Sequence, residues 1–150
     1  DRLGAALGKH LPLLLRAPHR LLPTVGEHRL SLKTRTAVQL RLARLLGCPV
    51  CLAVFPPLAE RAGHSSTSVQ SALEGSPVGL STEAHGAMAW AEEIVRGDGD
   101  EPAMIPAAAA ELSQVQRAHL LQLTRLELLI HATGLMFLPH SLIERAISGR

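Results

Sequence analysis

Aromatic side chains are nearly absent from this sequence, which has one Trp, two Phe and no Tyr in 150 residues. Proteins that bind single-stranded nucleic acids use aromatic rings as stacking platforms, so this scarcity argues against such binding. The formal net charge of +2 is also too small a surplus to indicate an electrostatic surface for nucleic acids. We therefore expect no nucleic-acid partner.

The sequence also lacks a long, uninterrupted apolar segment. Its most apolar stretch, residues 128–138, is shorter than the roughly 20 residues that span a bilayer, and it contains His131. Near the beginning, the short leucine run at residues 13–15 is broken by Pro12 and Arg16, and no small-residue cleavage site accompanies it. We therefore expect no membrane association, no export signal and a cytoplasmic location.

Leucine and alanine dominate the apolar content, which favours helix over sheet. No segment has the alternating pattern of a strand, and neither a repeat nor a linker divides the chain. We predict an all-α, compact multi-helix fold in one domain, residues 1–150. The predicted helical segments are residues 3–15, 19–22, about 32–46, 48–62, 65–75, 81–97, 107–112 and about 113–138.

Two consecutive prolines, Pro56 and Pro57, fall inside the segment that begins at Cys48. A proline in a helix interior removes a hydrogen bond and clashes with the preceding turn. We therefore predict a kink there, or a break followed by a restart at Leu58.

The only two cysteines, Cys48 and Cys51, form a single Cys-x-x-Cys motif. Gly47 is suited to end the preceding helix, and Pro49 takes the favoured first-turn position of the next one. Cys48 would then lie at a helix N-terminus, where the dipole and the open amides favour a thiolate. In a reducing cytosol the motif indicates a catalytic or metal-binding pair rather than a structural disulfide.

Two other interpretations of the cysteine pair stay open. A zinc site would need more ligands, but His64 is the nearest histidine after the pair and no second Cys-x-x-Cys motif exists. We therefore expect no metal and no other cofactor. The other interpretation is that both cysteines are small buried hydrophobic residues without chemistry.

Over about residues 11–147, the chain resembles the alkyl hydroperoxidase D-like branch of the carboxymuconolactone decarboxylase family. The similarity is carried by LPLLL at residues 11–15, LKTR at 32–35, LARLLGCPVC at 42–51, RAG at 61–63, LSTE at 80–83 and AWAEEI at 89–94. The resemblance implies a helical homo-oligomer that reduces hydroperoxides through Cys48 and Cys51. From the local arrangement alone, we expect Cys48 to attack, Cys51 to close the disulfide and an external dithiol protein to reduce it. The resemblance allows the two cysteines to have reversed roles, so which one attacks stays open.

The resemblance further implies a proton relay, formed by a Glu twelve positions before the first cysteine, a His four positions after the second, and a water molecule. In this chain those two positions hold Thr36 and Phe55. Neither side chain can transfer a proton as a general acid or base near neutral pH. The sequence thus retains the thiols and replaces the family's relay.

Glu127 and His131 are a candidate substitute relay. They lie four residues apart on the last predicted helix, so their side chains can touch. The ordinary alternative is a histidine on the helix surface or in the core without a role in chemistry. The substitute relay requires that the fold brings the pair to Cys48.

We therefore predict a thiol-dependent oxidoreductase that uses Cys48 and Cys51, with antioxidant peroxide reduction as its activity. The alternative is a catalytically degenerate helical module with a binding or structural role. Lactone decarboxylation is the weakest hypothesis, because the relevant branch uses a Glu/His site at the positions of Thr36 and Phe55. An apolar stripe on the last helix is interpreted as either core or a subunit contact; it is formed by Leu126, Leu129, Ile130, Thr133 and Phe137.

Overall fold

A computed structural model describes residues 30–133 of the chain. Within this range it contains five α-helices, one short 3₁₀ turn and no β-strand. The prediction of an all-α fold is therefore confirmed for the described residues. The helices are α1 (Leu32–Leu45), α2 (Pro49–Arg61), α3 (Ser66–Glu74), α4 (Thr82–Arg96) and α5 (Gln114–Thr133), and the turn is Ala107–Ala109.

Some predicted features lie outside the described residues. They are the helical segments at 3–15 and 19–22, the end of the last helix after residue 133, and Phe137. The single-domain assignment over residues 1–150 stays a prediction. Among the described helices, none combines the length and the apolarity that a bilayer crossing needs.

Serine side chains fix the starts of three helices. Ser31, Ser65 and Ser81 each accept a hydrogen bond from the backbone N–H three residues further on. Each bond satisfies one of the amides that a helix leaves open at its N-terminus. The α5 helix starts with a reciprocal version, in which Ser113 Oγ accepts from the Gln116 amide and Gln116 Oε1 accepts from the Ser113 amide. The predicted starts of these helices are confirmed to within one residue.

The main core lies where α1 packs against α4, with α3 and the start of α5 closing its sides. Its largest fully buried side chains include Leu40 of α1, Trp90 of α4 and Leu120 of α5. The Trp90 Nε1–H group donates to the Arg117 carbonyl at 3.1 Å, so this ring is buried with its polar atom satisfied. The remaining buried core residues are Leu30, Ala37, Val38, Leu42, Ala59, Val69, Ala72, Ala84, Ala87, Met88, Ala91, Ile94, Ala109, Leu112 and Leu121.

The predicted helix break at Pro56 and Pro57 is wrong, because α2 runs continuously from Pro49 to Arg61. The φ angle of a proline ring lies near the helical value, so the two rings remove hydrogen bonds without forcing the chain out of a helix. Packing holds the helix on both sides of them. Phe55 contacts the main core, and Ala59 is completely buried in it.

The predicted short helix at residues 107–112 is also wrong in extent, because only the 3₁₀ turn Ala107–Ala109 forms. This turn lies directly against α4 at Gly86, and a β-carbon at that position would collide with the Ala108 carbonyl oxygen. Close packing against α4 therefore takes precedence over the helix propensity of the alanines. The same contact explains why a glycine is found inside α4.

Candidate thiol site

The turn between α1 and α2 places the two cysteines. Gly47 has a φ of 61°, a left-handed conformation that favours glycine, and it lets the chain leave α1 directly into α2. The Cys48 N–H donates back to the Ala43 carbonyl at 3.0 Å. Cys48 is the N-cap residue of α2, with Pro49 following in the first turn, as the sequence predicts.

The cysteines belong to a second, smaller apolar cluster, separate from the main core. We call it the thiol cluster: Ala43, Cys48 and Cys51 are buried, and Val50, Leu52 and Phe55 pack around them. Cys48 is 1% exposed and Cys51 is 6% exposed, and both are thiols rather than a disulfide. The two sulfur groups therefore lie in a largely dry environment, where charge on either of them is strongly affected by its neighbours.

The electrostatic environment differs between the two sulfur atoms. The backbone N–H of Cys51 donates to Cys48 Sγ at 3.0 Å, so a negative charge on that sulfur has a hydrogen-bond donor. Burial raises the pKa of the Cys51 thiol, and its hydrogen bond to Cys48 and the charges of Cys48 and Glu127 raise it further. Cys51 therefore holds its proton strongly. Releasing that proton requires a base.

The structure brings Glu127 of α5 to this site. Its side chain is only 8% exposed, and its carboxyl group is close enough to Cys51 to act on the pKa of the thiol. Burial raises the pKa of Glu127, while a hydrogen bond from the Gln39 side chain lowers it. A carboxyl group with these opposing influences can hold or accept a proton nearer to neutral pH than an exposed glutamate.

His131 lies differently from Glu127, although both are on α5. The His131 side chain is exposed, whereas Glu127 is buried and its charge acts on the Cys51 thiol. The structure therefore brings one member of the candidate relay pair into the site and leaves the other at the surface. Whether either residue takes part in chemistry stays a prediction.

The two positions that hold the relay in the resembled family have structural contacts here. Thr36 is 5% exposed, and its hydroxyl donates within its own helix toward the carbonyls of Leu32, at 2.9 Å, and Lys33, at 3.0 Å. Phe55 packs against the thiol cluster and also against the main core. These contacts account for both side chains without a role in proton transfer.

His64 is a further buried titratable residue, 9% exposed, at the turn between α2 and α3. Its Nε2 lies 2.9 Å from the Lys33 carbonyl, and its Nδ1 lies 3.3 Å from Ser68 Oγ. Because a carbonyl only accepts, Nε2 carries the proton in this arrangement. Both ring nitrogens thus have partners, and the histidine connects α1, the turn and α3. Within residues 30–133, no group of three or more His, Cys, Asp or Glu side chains is placed to hold a metal ion.

Sequence reasoning did not identify Gln39 as part of the site. It lies in the middle of α1, between Val38 and Leu40, and a single glutamine there gives no signal in the sequence. The only available clue is helical spacing. Gln39 lies four residues before Ala43, a residue in the last turn of α1 whose carbonyl accepts the Cys48 N–H.

Comparisons with known proteins give no relative for this chain: no family model, no curated protein and no solved structure matches it. The chemistry of the thiol site is therefore argued from its own geometry.

Proposed function

We propose that this protein is a thiol–disulfide oxidoreductase that cycles between the Cys48–Cys51 dithiol and a disulfide, with small hydroperoxides as oxidants. The observation that carries the proposal is the contact of the two thiols on the first turn of α2, where Cys48 Sγ also accepts the Cys51 N–H. The spacing and the helix N-terminus are those of reactive dithiols. Membership in the alkyl hydroperoxidase D-like family is part of the same proposal.

The first step of the proposed reaction is attack by the Cys48 thiolate on the terminal oxygen of a hydroperoxide, ROOH. The O–O bond breaks, the sulfur becomes a sulfenic acid, and RO⁻ leaves and takes up a proton to give the alcohol. Cys48 is assigned this role because its sulfur accepts the Cys51 N–H, which stabilises negative charge on it.

In the second step, the Cys51 sulfur attacks the Cys48 sulfur and water leaves. The overall change is ROOH plus two thiols giving ROH, water and one disulfide. An external dithiol protein then reduces the disulfide by thiol–disulfide exchange, and this returns both cysteines to thiols. The raised pKa of Cys51 supports its assignment as the second, resolving thiol, because it stays protonated until a base acts on it.

A second candidate function has observations of its own. Both cysteines are almost completely buried, and Thr36 and Phe55 have structural contacts. These features support a catalytically degenerate helical module with a binding or structural role. In that case the thiols are packing residues and do not react with peroxides in the folded protein.

Redox equilibration separates the two candidates. The protein is incubated in dithiothreitol buffers of graded potential, and the Cys48–Cys51 disulfide is quantified by mass spectrometry. A redox protein reaches the same disulfide fraction from the oxidised and the reduced side, and it consumes tert-butyl hydroperoxide when dithiothreitol is supplied. Cys48→Ser and Cys51→Ser variants should each lose this turnover. Thiols that stay reduced in the folded protein at every potential would reject the proposal.

We further propose that the protein forms a cytoplasmic homo-oligomer. Several large apolar side chains are exposed on the described part of the chain, among them Leu32 at 56%, Val78 at 60% and Met104 at 81%. Exposed apolar surface of this kind marks contact sites when it is contiguous. Analytical ultracentrifugation over a range of concentrations should give a mass above that of one chain, and a monomer at all concentrations would contradict the proposal.

A further inference from the structure

A cavity of about 400 Å³ is lined by the loop at residues 101–105, by the first turns of α5 and by Trp90 of α4. Cavities of this size accommodate small organic molecules. The described residues that line it include no member of the thiol cluster. A molecule in this cavity would therefore bind independently of the thiol chemistry.

Hydrogen bonds hold the loop that forms one wall of the cavity. Arg125 of α5 donates from Nε to the Gly99 carbonyl at 2.8 Å, two residues before Glu101. The Gly99 N–H donates at 2.8 Å to the carbonyl of Ile94, which belongs to α4. The beginning of the loop is thus connected to both α4 and α5. A wall that is fixed in this way is typical of a binding site that exists before its ligand arrives.

Gln122 of α5 brings an unpaired polar group to the cavity wall. The residue is 5% exposed, and its Oε1 atom is buried with no hydrogen-bond partner among the described residues. Because a buried acceptor without a partner is costly, such an atom in a folded protein requires an explanation. The last side-chain torsion of a glutamine is broad, so the amide can rotate to meet a donor inside the cavity.

Two opposite charges also line the cavity, Arg117 on α5 and Glu101 on the loop. The Arg117 guanidinium lies over the Trp90 ring, 6.0 Å from its centre, and donates to the Leu112 carbonyl. Glu101 is exposed, and its charge also acts on the Arg125 guanidinium. Among the ion pairs of the described residues, none includes Arg117 or Glu101. The cavity therefore presents one positive charge, one negative charge and one unpaired amide oxygen.

We propose that this cavity binds a free α-amino acid with an apolar side chain. The carboxylate of the ligand meets Arg117, and its ammonium group donates to Gln122 Oε1 and faces Glu101. The apolar side chain of the ligand lies against Ile105 and Leu121, which also line the cavity. A zwitterion offers an opposite charge to both lining charges, whereas a simple carboxylate or a simple amine leaves one of them unmatched.

Arg117 is suited to bind the ligand carboxylate. A guanidinium group is planar and can donate two parallel hydrogen bonds to a carboxylate. The hydrogen bond to Leu112 and the contact with the Trp90 ring restrict its orientation before the ligand arrives. A group that is already ordered loses less conformational entropy on binding, which favours affinity.

Trp90 makes binding measurable, because it is the only tryptophan in the sequence and it lies in the cavity wall. The full chain is titrated with L-phenylalanine, L-leucine, 3-phenylpropionate and 2-phenylethylamine, and binding is followed by calorimetry and by tryptophan fluorescence. 3-Phenylpropionate lacks the ammonium group of phenylalanine, and 2-phenylethylamine lacks its carboxylate. We expect saturable binding of both amino acids. The other two probes should bind at least about tenfold more weakly, because each loses one charge-assisted interaction.

Substitution of Glu101 tests the contact with the ammonium group. Glu101→Gln should weaken binding of L-phenylalanine about fivefold to tenfold and should not weaken binding of 3-phenylpropionate. Glu111→Gln is the matched control, because Glu111 is also an exposed glutamate but lies outside the residues that line this cavity. This control should leave both affinities at their wild-type values.

Gln122→Leu separates a role in binding from a role in packing. The substitution removes an amide whose oxygen has no partner, so the ligand-free variant should unfold at the same urea concentration as the wild type or at a higher one. Its affinity for L-phenylalanine should fall about threefold or more. A lower urea midpoint combined with unchanged affinity would assign Gln122 to packing and overturn its place in the proposal.

The four probes on the unsubstituted protein keep the proposal testable if a variant fails to fold. Equal affinities for L-phenylalanine and 3-phenylpropionate would overturn it, because the ammonium group would then contribute nothing. No saturable binding of either amino acid, by calorimetry and by fluorescence, would also overturn it. The same holds for equal losses of affinity in Glu101→Gln and Glu111→Gln.

Discussion

The main core and the thiol cluster are both buried, but they are built in different ways. The main core consists of apolar side chains, and its Trp90 N–H has a backbone acceptor. The thiol cluster contains two ionisable sulfur groups, and the charge of the buried Glu127 acts on one of them, Cys51. Burial raises the pKa values of both Cys51 and Glu127. The packing of apolar side chains therefore determines the main core. The thiol cluster instead keeps ionisable groups in a buried environment that disfavours their charged forms.

His64 sharpens this comparison, because it is buried to nearly the same degree as Glu127. The exposed fractions are 9% for His64 and 8% for Glu127. His64 has a partner at each ring nitrogen and connects three segments of the chain. For Glu127, the Gln39 amide lowers its pKa against the effect of burial, and its charge acts on the Cys51 thiol. A buried polar group with a partner at each polar atom needs no role beyond structure, whereas shifted pKa values are more frequent at functional sites.

The largest expected effect on stability is in the main core, at Gly86. Alanine at this position would place its β-carbon against the Ala108 carbonyl oxygen, and backbone atoms on both sides leave little room for adjustment. We expect Gly86→Ala to lower the free energy of unfolding by about 2–3 kcal/mol, which urea denaturation measures.

Gly97→Ala at the end of the same helix is the matched control. Its β-carbon would meet neighbours only at 3.5 Å or more, which is an ordinary contact, so the change should stay within about 0.5 kcal/mol. Equal losses of unfolding free energy in the two variants would show that the close approach of the 3₁₀ turn is not the reason for a glycine at position 86.

The next largest effect concerns the thiol cluster and depends on pH. Because the folded-state pKa of Glu127 is raised above its ordinary value near 4.5, the folded protein holds a proton that the unfolded chain releases. This stabilisation is complete below the ordinary value and is lost as the pH rises through the raised value. Each unit of pKa difference corresponds to about 1.4 kcal/mol.

Glu127→Gln should therefore be more stable than the wild type at pH 8, and this advantage should shrink as the pH falls toward 4. Urea denaturation at several pH values measures the difference. The same variant should close its disulfide more slowly, since it lacks the carboxylate of the candidate relay. A variant that is destabilised equally at every pH would show that Glu127 is ionised and well compensated in the folded protein.

The smallest effect is expected at Thr36, the position that corresponds to the relay glutamate of the resembled family. Its hydroxyl donates to carbonyl groups of its own helix, so Thr36→Val should change stability by about 1 kcal/mol or less. The rate of disulfide closure should stay at the wild-type value. A loss of about 100-fold or more, typical of removing a general acid or base, would place Thr36 in the proton path after all.

Local signals in the sequence were sufficient for much of the fold. Serine caps predicted the starts of α1, α3 and α4, and Cys48-Pro49 predicted the start of α2. The errors arose where packing determines the backbone. Phe55 and Ala59 hold α2 together through its two prolines, and contact with Gly86 limits the alanine segment to a 3₁₀ turn.

The candidate site was only partly predictable for a related reason. The cysteines and their helix N-terminus follow from residues that are adjacent in sequence. Glu127 and His131 have the same spacing signal, but only tertiary packing decides that Glu127 is buried and acts on the pKa of Cys51 while His131 is exposed. Gln39 has no local signal at all, because its partner lies on another helix.

The most direct test of the redox proposal is stoichiometric oxidation of the folded, reduced protein. One equivalent of hydrogen peroxide is added, remaining thiols are trapped with an alkylating agent after acid quench, and each cysteine is mapped by mass spectrometry. The account predicts one intramolecular Cys48–Cys51 disulfide, formed without accumulation of sulfinic acid and reversed by dithiothreitol. Two unmodified thiols, or irreversible oxidation of either cysteine without a disulfide, would contradict it and favour the non-catalytic module.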